Sequence, residues 1–384
     1  MSKKLNKKEQ IKLLVIPELF PYFKGDWRGV FILDYIKSVR KYIDAVQVLF
    51  VKLTADKKGE FNEQWDGFTV KRVYCSDTSL SGLKKILGYF CFFGKGKKAA
   101  KNIEANIIHV HGSLFTGLLA QQIARKKKIP YIMSEHTGPF SRIANHPLYA
   151  KMARKTYNSA AKILTVSQYQ KHQLVNFGID EKKITVTYNP VDTTLFKPNE
   201  SIQKKKQIVF ISRLDAFKGA MKCLRAFYEL LPEHKDWQLI ICGEGEEKQE
   251  IIDFIEKNNL HQNVALKPML TREQMATLFQ ESAFSVFLSL HETFGLVAAE
   301  SVACGTPVLC SKTTSLPEIV SDKEGVLVNP ENKSEIIAGM QQLMQFHHRF
   351  CPQELHQSIE KRFGLRIFGE RLTSIYNEVL NHRK

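Results

Sequence analysis

Acidic residues are scarce in this chain. Against 56 lysines and arginines stand 39 aspartates and glutamates, a net charge of +17 over 384 residues. That imbalance implies an anionic partner: nucleic acid, an anionic membrane face or a phosphorylated substrate. Paired cysteines are lacking too. Cys75, Cys91, Cys223, Cys242, Cys304, Cys310 and Cys351 form an odd set without a CxxC. They argue against a disulfide frame or zinc site and fit buried, reduced thiols in a cytosolic protein. No uncharged run reaches 18 apolar residues, so no helix is expected to span a membrane. The lysine-rich start, Met1 to Gln10, lacks the apolar core of a signal peptide. The first predicted strand is not followed by GxGxxG, which speaks against a nicotinamide or flavin dehydrogenase. No Asp-x-Asp pair is there to hold a magnesium-bound diphosphate, and no compact histidine set suggests another metal.

What is present is alternation. Short apolar strands (Lys12 to Pro17, Ala45 to Val51, Thr69 to Tyr74, Ile107 to Val110, Tyr131 to Ser134, Lys162 to Val166 and Ile184 to Tyr188) alternate with amphipathic stretches such as Phe31 to Tyr42 and Leu114 to Lys127. This predicts a parallel sheet with helices on both faces. After a turn-rich stretch, the polar run Gln203 to Lys206 closes a linker and the pattern restarts at Gln207. Thr271-Arg272-Glu273-Gln274 in this second series has the form of a capping box. The reading is therefore α/β, with two Rossmann-like domains facing each other across a deep cleft. A polar tail (1–10) precedes the first domain (11–188); a linker (189–206), a second domain (207–364) and a C-terminal segment (365–384) follow.

Ligand sites are expected at the carboxyl ends of the strands. There the second half offers His291-Glu292-Thr293-Phe294-Gly295-Leu296-Val297-Ala298-Ala299-Glu300, between an apolar strand and a helix that Gly305 and Pro307 end. Strand, glycine turn and helix expose free N–H groups that favour a phosphate. With Glu300 read as two turns into the helix, the glutamates are expected about 12 Å apart, near the span from sugar to ribose in a nucleotide sugar. A plain helix with one glutamate for its dipole and another on a wet face has the same spacing. Arg213 and Lys218 follow the first strand of this half, where a guanidinium and an ammonium can grip a diphosphate. Gly243-Glu244-Gly245 makes a tight turn, which serves either the chain path or the approach of a base or ribose. In the first half, His111 and His136 each end a strand just before a glycine and suggest cleft-lining hydrogen-bonding or acid–base groups.

With these residues in view, the chain resembles the glycosyltransferase family 4 enzymes, which have the GT-B fold and retain anomeric configuration. The Glu292…Glu300 block carries most of the likeness. It is joined by Ser212-Arg213-Leu214 with Lys218-Gly219, by Gly243-Glu244-Gly245, by Leu316-Pro317-Glu318 and by Tyr188-Asn189-Pro190-Val191-Asp192. The resemblance implies that Arg213 and Lys218 neutralise a diphosphate leaving group, Glu292 binds the donor sugar and Glu300 the ribose. It implies that Phe294, Gly295 and Leu296 offer backbone N–H groups, and that Gly25 to Gly29 form a loop beneath the diphosphate. It further implies that His111 or His136 faces the reacting sugar, that no metal or other cofactor is needed, and that the final helix crosses back to the first domain. Three departures stand out: the first-loop glycines are spread to Gly25 and Gly29, Ser315 replaces a frequent glycine, and Asn189-Pro190 inverts the usual order.

The expected activity is transfer of a sugar from a UDP or GDP sugar to a glycan or lipid-linked acceptor in surface polysaccharide synthesis. A nucleotide-sugar epimerase or a glycan phosphorylase is the main alternative, and a basic nucleic-acid-binding protein a third. Between Asp77 and Glu104 there is no acid, while Lys84, Lys85, Lys95, Lys97, Lys98 and Lys101 interleave with aromatics. Residues 82–101 thus suit an anionic membrane face, placing a cytoplasmic enzyme at the inner side of the plasma membrane. A core helix with a wet lysine edge reads the same way.

Overall fold

A computed structural model describes residues 10–54, 57–76 and 83–382. The first domain carries strands β1 (Lys12–Pro17), β2 (Ala45–Thr54), β3 (Gly59–Trp65), β4 (Phe68–Ser76), β5 (Ile107–His111), β6 (Tyr131–Glu135), β7 (Lys162–Thr165) and β8 (Ile184–Val186). Between them run helices α1 (Val30–Val39), α2 (Leu83–Ala100), α3 (Phe115–Lys127), α4 (Ser141–Ala144), α5 (Pro147–Ser159) and α6 (Gln168–Asn176). The strands form one sheet in the order β3-β4-β2-β1-β5-β6-β7-β8, parallel except for the β3–β4 hairpin.

The second domain holds β9 (Lys205–Ile211), β10 (Gln238–Cys242), β11 (Val264–Lys267), β12 (Ser282–Phe287), β13 (Val308–Ser311) and β14 (Gly325–Val328). Its helices are α7 (Ala220–Leu230), α8 (Lys248–Lys257), α9 (Arg272–Glu281), α10 (Leu296–Ala303), α11 (Lys333–Phe346) and α12 (Pro352–Phe363), and α13 (Leu365–Asn381) closes the chain. The all-parallel order is β11-β10-β9-β12-β13-β14, so the winding reverses between β9 and β12. In the first sheet it reverses between β1 and β5. At such switch points neighbouring crossovers leave in opposite directions and open a crevice beyond the strand ends.

Each sheet is covered on both faces. Along β1, Leu14 and Ile16 join one buried cluster and Leu13 and Val15 the other. Along β9, Ile208 and Phe210 divide from Val209 and Ile211 in the same way. This period-2 alternation explains why the central strands are apolar throughout. Helix α13 lies on the first domain: Phe368, Leu372 and Tyr376 enter its core, and Gly369 passes so close to α1 that an added Cβ would stand 2.0 Å from the Ser38 carbonyl oxygen. The chain crosses between the domains twice, in the linker (189–206) and again between α12 and α13, and the two crossings meet where the Val191 N–H donates to the Phe363 carbonyl at 2.9 Å.

Three features differ from the sequence reading. Gly59–Trp65 forms an extra antiparallel edge strand. Glu300 is the fifth residue of α10, whose cap is Gly295, so it stands little more than one turn in and Glu292 precedes the helix altogether. Helix α2 turns Phe92 into the core and stacks Tyr89 on Phe115 at 4.0 Å, so Phe90 remains outward at 70% exposure. Residues 77–82, most of the N-terminal tail (1–9) and, in the basic window, the side chains of residues 83–87 with Lys84 and Lys85 lie outside what is described.

Candidate active site

The loops after β9 and β12 meet at the switch point of the second sheet. The Leu290 N–H donates to the Phe217 carbonyl at 2.8 Å, and the position of a Cβ on Gly219 would be 2.8 Å from Leu288 Cβ. This contact draws together residues 74 positions apart: Lys218 Nζ donates to Glu292 Oε2 at 2.6 Å. Both side chains are about four-fifths buried, at 17% and 21% exposure. Lys218, Glu292, Gly295 and Leu296 line one cavity of about 130 Å³, with Ser212 and Leu316. A larger hollow of about 710 Å³ opens by Pro130 and Tyr131, at the amino end of β6. It lies at the end of the sheet away from this chemistry.

Three helix starts at the two switch points share one construction. Helices α1, α7 and α10 begin after Gly29, Gly219 and Gly295, with φ of 68°, 84° and 99°. None has a side-chain cap or an acid in its first turn. A left-handed glycine turns the chain sharply from strand to helix and leaves the first N–H groups open to an anion. Gly25 also has a positive φ, 93°, and the loop between Gly25 and Gly29 is pinned by buried Asp26, which accepts from Tyr22 N and Arg28 N.

The other expected residues fall into place differently. Arg213 is 63% exposed and pairs with Asp215 at 3.0 Å, outside the cavity wall. An exposed pair of this kind is worth about 1 kcal/mol or less and is readily exchanged. Gly243 has a steric reason of its own: an added Cβ would sit 1.9 Å from the Ser212 carbonyl oxygen. The Phe294 ring is buried between Tyr188 and Phe363, so its backbone alone faces the helix start. Glu300 is 3% exposed, and its carboxylate receives Arg272 Nη2 at 3.3 Å.

Across the cleft, the strand-end histidines form a stack. His111 Nδ1 lies 3.0 Å from His136 Nε2, and the His109 and His111 rings stack at 4.3 Å. His109 bonds Tyr376 of α13 and Ser134, both at 2.8 Å. Burial pushes His109 down to about 3 and His136 to about 4, and holds His111 well below the usual histidine range. All three are neutral near pH 7. His111 Nε2 is buried without a partner, which costs least as a bare lone pair. The proton of His111 then sits on Nδ1 and is donated to His136 Nε2. His136 keeps some exposed surface whereas His111 is 3% exposed, so His136 is the more accessible of the two. Glu135 fixes the His136 backbone, accepting from the N–H groups of His136 and Thr137 at 2.9 and 2.7 Å. Two residues on, the place of a Cβ on Gly138 lies 2.6 Å from Thr293 Cγ2, so this loop abuts the Glu292 turn.

Sequence reasoning missed three supports. Ser315, where a glycine was the usual residue, donates from Oγ to the carbonyls of Glu292 and Phe294, both at 3.0 Å. Glu318 reaches the first domain and accepts from Gln168 N and Tyr169 N at 2.7 and 2.9 Å, at the start of α6. Arg272 and Asp34 pair across the domains. Arg272 stood inside the capping box, which is formed as expected by Thr271 and Gln274. No local pattern marked its partner.

Two family models divide the chain between them. The Glycosyltransferase Family 4 model matches residues 31–195 and the Glycosyl transferases group 1 model residues 191–360. The chain belongs to glycosyltransferase family 4. It is a glycosyltransferase with the GT-B fold. A Campylobacter jejuni relative, N-acetylgalactosamine-N,N'-diacetylbacillosaminyl-diphospho-undecaprenol 4-alpha-N-acetylgalactosaminyltransferase, is 28% identical over 287 residues, covering 71% of this chain and 76% of the relative. Sucrose-phosphate synthase of Thermosynechococcus elongatus superposes with a TM-score of 0.80 at 15% identity, over 97% of this chain and 100% of its own. HepE of Anabaena in complex with UDP-glucose gives 0.75 at 16% identity, over 95% and 99%. Among the described residues of this transferase, no helix is long and apolar enough to cross a membrane.

Proposed function

We propose that this transferase moves a sugar, with retention, from a UDP or GDP sugar to a glycan or lipid-linked acceptor of a surface polysaccharide, without a metal. The observation that carries the reading is the Lys218–Glu292 pair beside the open start of α10. Breaking the glycosidic bond builds charge on the diphosphate. Lys218, Arg213 released from Asp215, and the N–H groups following Gly219 and Gly295 stabilise that charge. Gly29 closes the diphosphate site from the first domain. Glu292 receives hydroxyls of the donor sugar, Glu300 those of the ribose, and Gly243 lets the nucleoside approach the backbone. His136, oriented by His111 and Glu135, faces the reacting sugar. The acceptor attacks from the face the diphosphate leaves, and the departing phosphate takes its proton.

A thermal-shift screen of UDP, GDP and ADP sugars identifies the donor, because binding stabilises the folded form alone. Slow release of nucleoside diphosphate, unaffected by EDTA and abolished in Glu292→Ala, is the expected result; NMR of the product gives the anomer. No binding or turnover of any nucleotide sugar refutes the reading. For an anionic membrane face the outward groups among the described side chains of α2 are Lys98 and Phe90, with Lys95 and Lys97 half-buried. Sedimentation with phosphatidylglycerol vesicles, lost in Lys98→Glu, tests it.

A further inference from the structure

One guanidinium joins the domains behind the glutamate pair. Arg272 donates from Nη1 and Nη2 to Asp34 Oδ1 and Oδ2 at 2.9 and 2.8 Å, and from Nη2 to Glu300 Oε1 at 3.3 Å. Its Cζ lies 5.1 Å from the ring centre of Phe196, and its Nε is buried without a partner. Asp34 comes from α1 of the first domain, Phe196 from the crossing and Glu300 from α10. Asp34 and Glu300 are 2% and 3% exposed.

Buried ion sets seldom add stability over apolar residues of the same volume, so this one calls for another reason. Its geometry is unequal. The fork to Asp34 is short and bidentate, which fixes the guanidinium plane. The contact to Glu300 is single and long, which leaves that carboxylate lone pairs for other donors.

We infer that Arg272 is a positioning residue of the donor site: anchored by Asp34 of the opposite domain, it aims the Glu300 carboxylate at the ribose hydroxyls and ties that aim to domain closure. The inference rests on the ribose role of Glu300 proposed above. The charged and titratable groups facing Glu300 are Arg272 of α9, Asp34 of α1, Asp192 of the crossing and Cys304. Lys37 pairs with Asp192 at 2.5 Å, Lys204 faces Cys304, and His356 of α12 bonds the Ala303 carbonyl at 2.8 Å. Burial first, then Asp34 and Asp192, raise the Glu300 carboxyl, and Arg272 opposes them, so that it stands at about 7. Loss of Arg272 therefore moves Glu300 upward, and loss of the Asp34 charge moves it downward.

Calorimetric binding of UDP and GDP, each beside its 2′,3′-dideoxy form, tests this in the full chain. The wild type is expected to prefer the ribose form by about tenfold or more. Arg272→Met and Asp34→Asn are both expected to erase most of that preference. The acid limb of ribose-nucleotide binding should shift to higher pH in Arg272→Met and to lower pH in Asp34→Asn, a split that general loosening does not produce. Asp34→Asn keeps the shape of the site and decides the matter if Arg272→Met does not fold. A wild type indifferent to the ribose hydroxyls defeats the ribose role of Glu300 itself. A wild type that discriminates, with variants that still do, defeats the positioning role of Arg272.

Discussion

Replacing Lys218 by alanine removes the cation that holds Glu292. The pair is 2.6 Å apart and mostly out of water, so the change acts on chemistry and on stability. For chemistry, one preorganised group aimed at developing negative charge is worth about 2.7–4 kcal/mol, or roughly 10²–10³ in rate. For stability, a buried group left without its partner costs about 1–3 kcal/mol, and the low end applies because about a fifth of Glu292 stays wet. A loss near 1 kcal/mol lowers Tm by about 2–4 °C in a domain of this size. Thus kcat should fall by two to three orders of magnitude in a protein that still melts within a few degrees of the wild type. The assay is steady-state release of nucleoside diphosphate from the sugar that the thermal-shift screen selects, with melting recorded on the same samples. In Lys218→Ala/Glu292→Ala both partners are gone, so stability should partly return while activity does not. A kcat within about fivefold of the wild type, or a loss that tracks the unfolded fraction, refutes the reasoning.

Acid should weaken the protein through its histidines. His109 and His136 stay neutral when folded down to about 3 and 4, whereas unfolded histidine takes its proton near 6.5. Below that value the unfolded chain binds more protons, so stability is whole above pH 7 and falls by about 1.4 kcal/mol per histidine per pH unit toward pH 4. Urea midpoints at pH 7 and 5 should differ less in His136→Gln than in the wild type. Gly138→Ala places a methyl 2.6 Å from Thr293 Cγ2 and should cost about 1–3 kcal/mol while prying apart the loops around the reacting sugar. Thr293→Ser lacks that methyl and should restore turnover in the double variant. Glu318→Ala uncovers the start of α6 and should lower the denaturation midpoint by the equivalent of about 1–2 kcal/mol.

Patterns that act over a few residues were legible from the chain. The strand alternation gave the two sheets, and the Gly295 turn gave the open start of α10. The edge strand β3 had a readable sign, Asp66-Gly67, whose φ values of 43° and 82° make the hairpin turn. Its polar sequence, Gly-Glu-Phe-Asn-Glu-Gln-Trp, hid it because an edge strand buries little. The aromatics of α2 left both readings of that helix open for another reason: interleaved rings do not say which way a helix turns them.

Lys218 and Glu292 were each chosen from the sequence as functional residues, but their direct pairing was not foreseeable. It depends on β9 and β12 lying side by side at the switch point, a matter of strand order. The sequence likewise nominated both histidines without choosing, and the fold buries His111 more deeply than His136. It gave Glu300 a job but not its burial, since Arg272 and Asp34 lie 238 residues apart and meet through the closure of two domains. By itself the sequence determined most of the elements and the family, and it nominated the donor-side residues, because those are written in local spacing. Tertiary structure alone decided which charges face one another, because a buried ion pair is set by distance in space and by exclusion of water, and neither has a period along the chain.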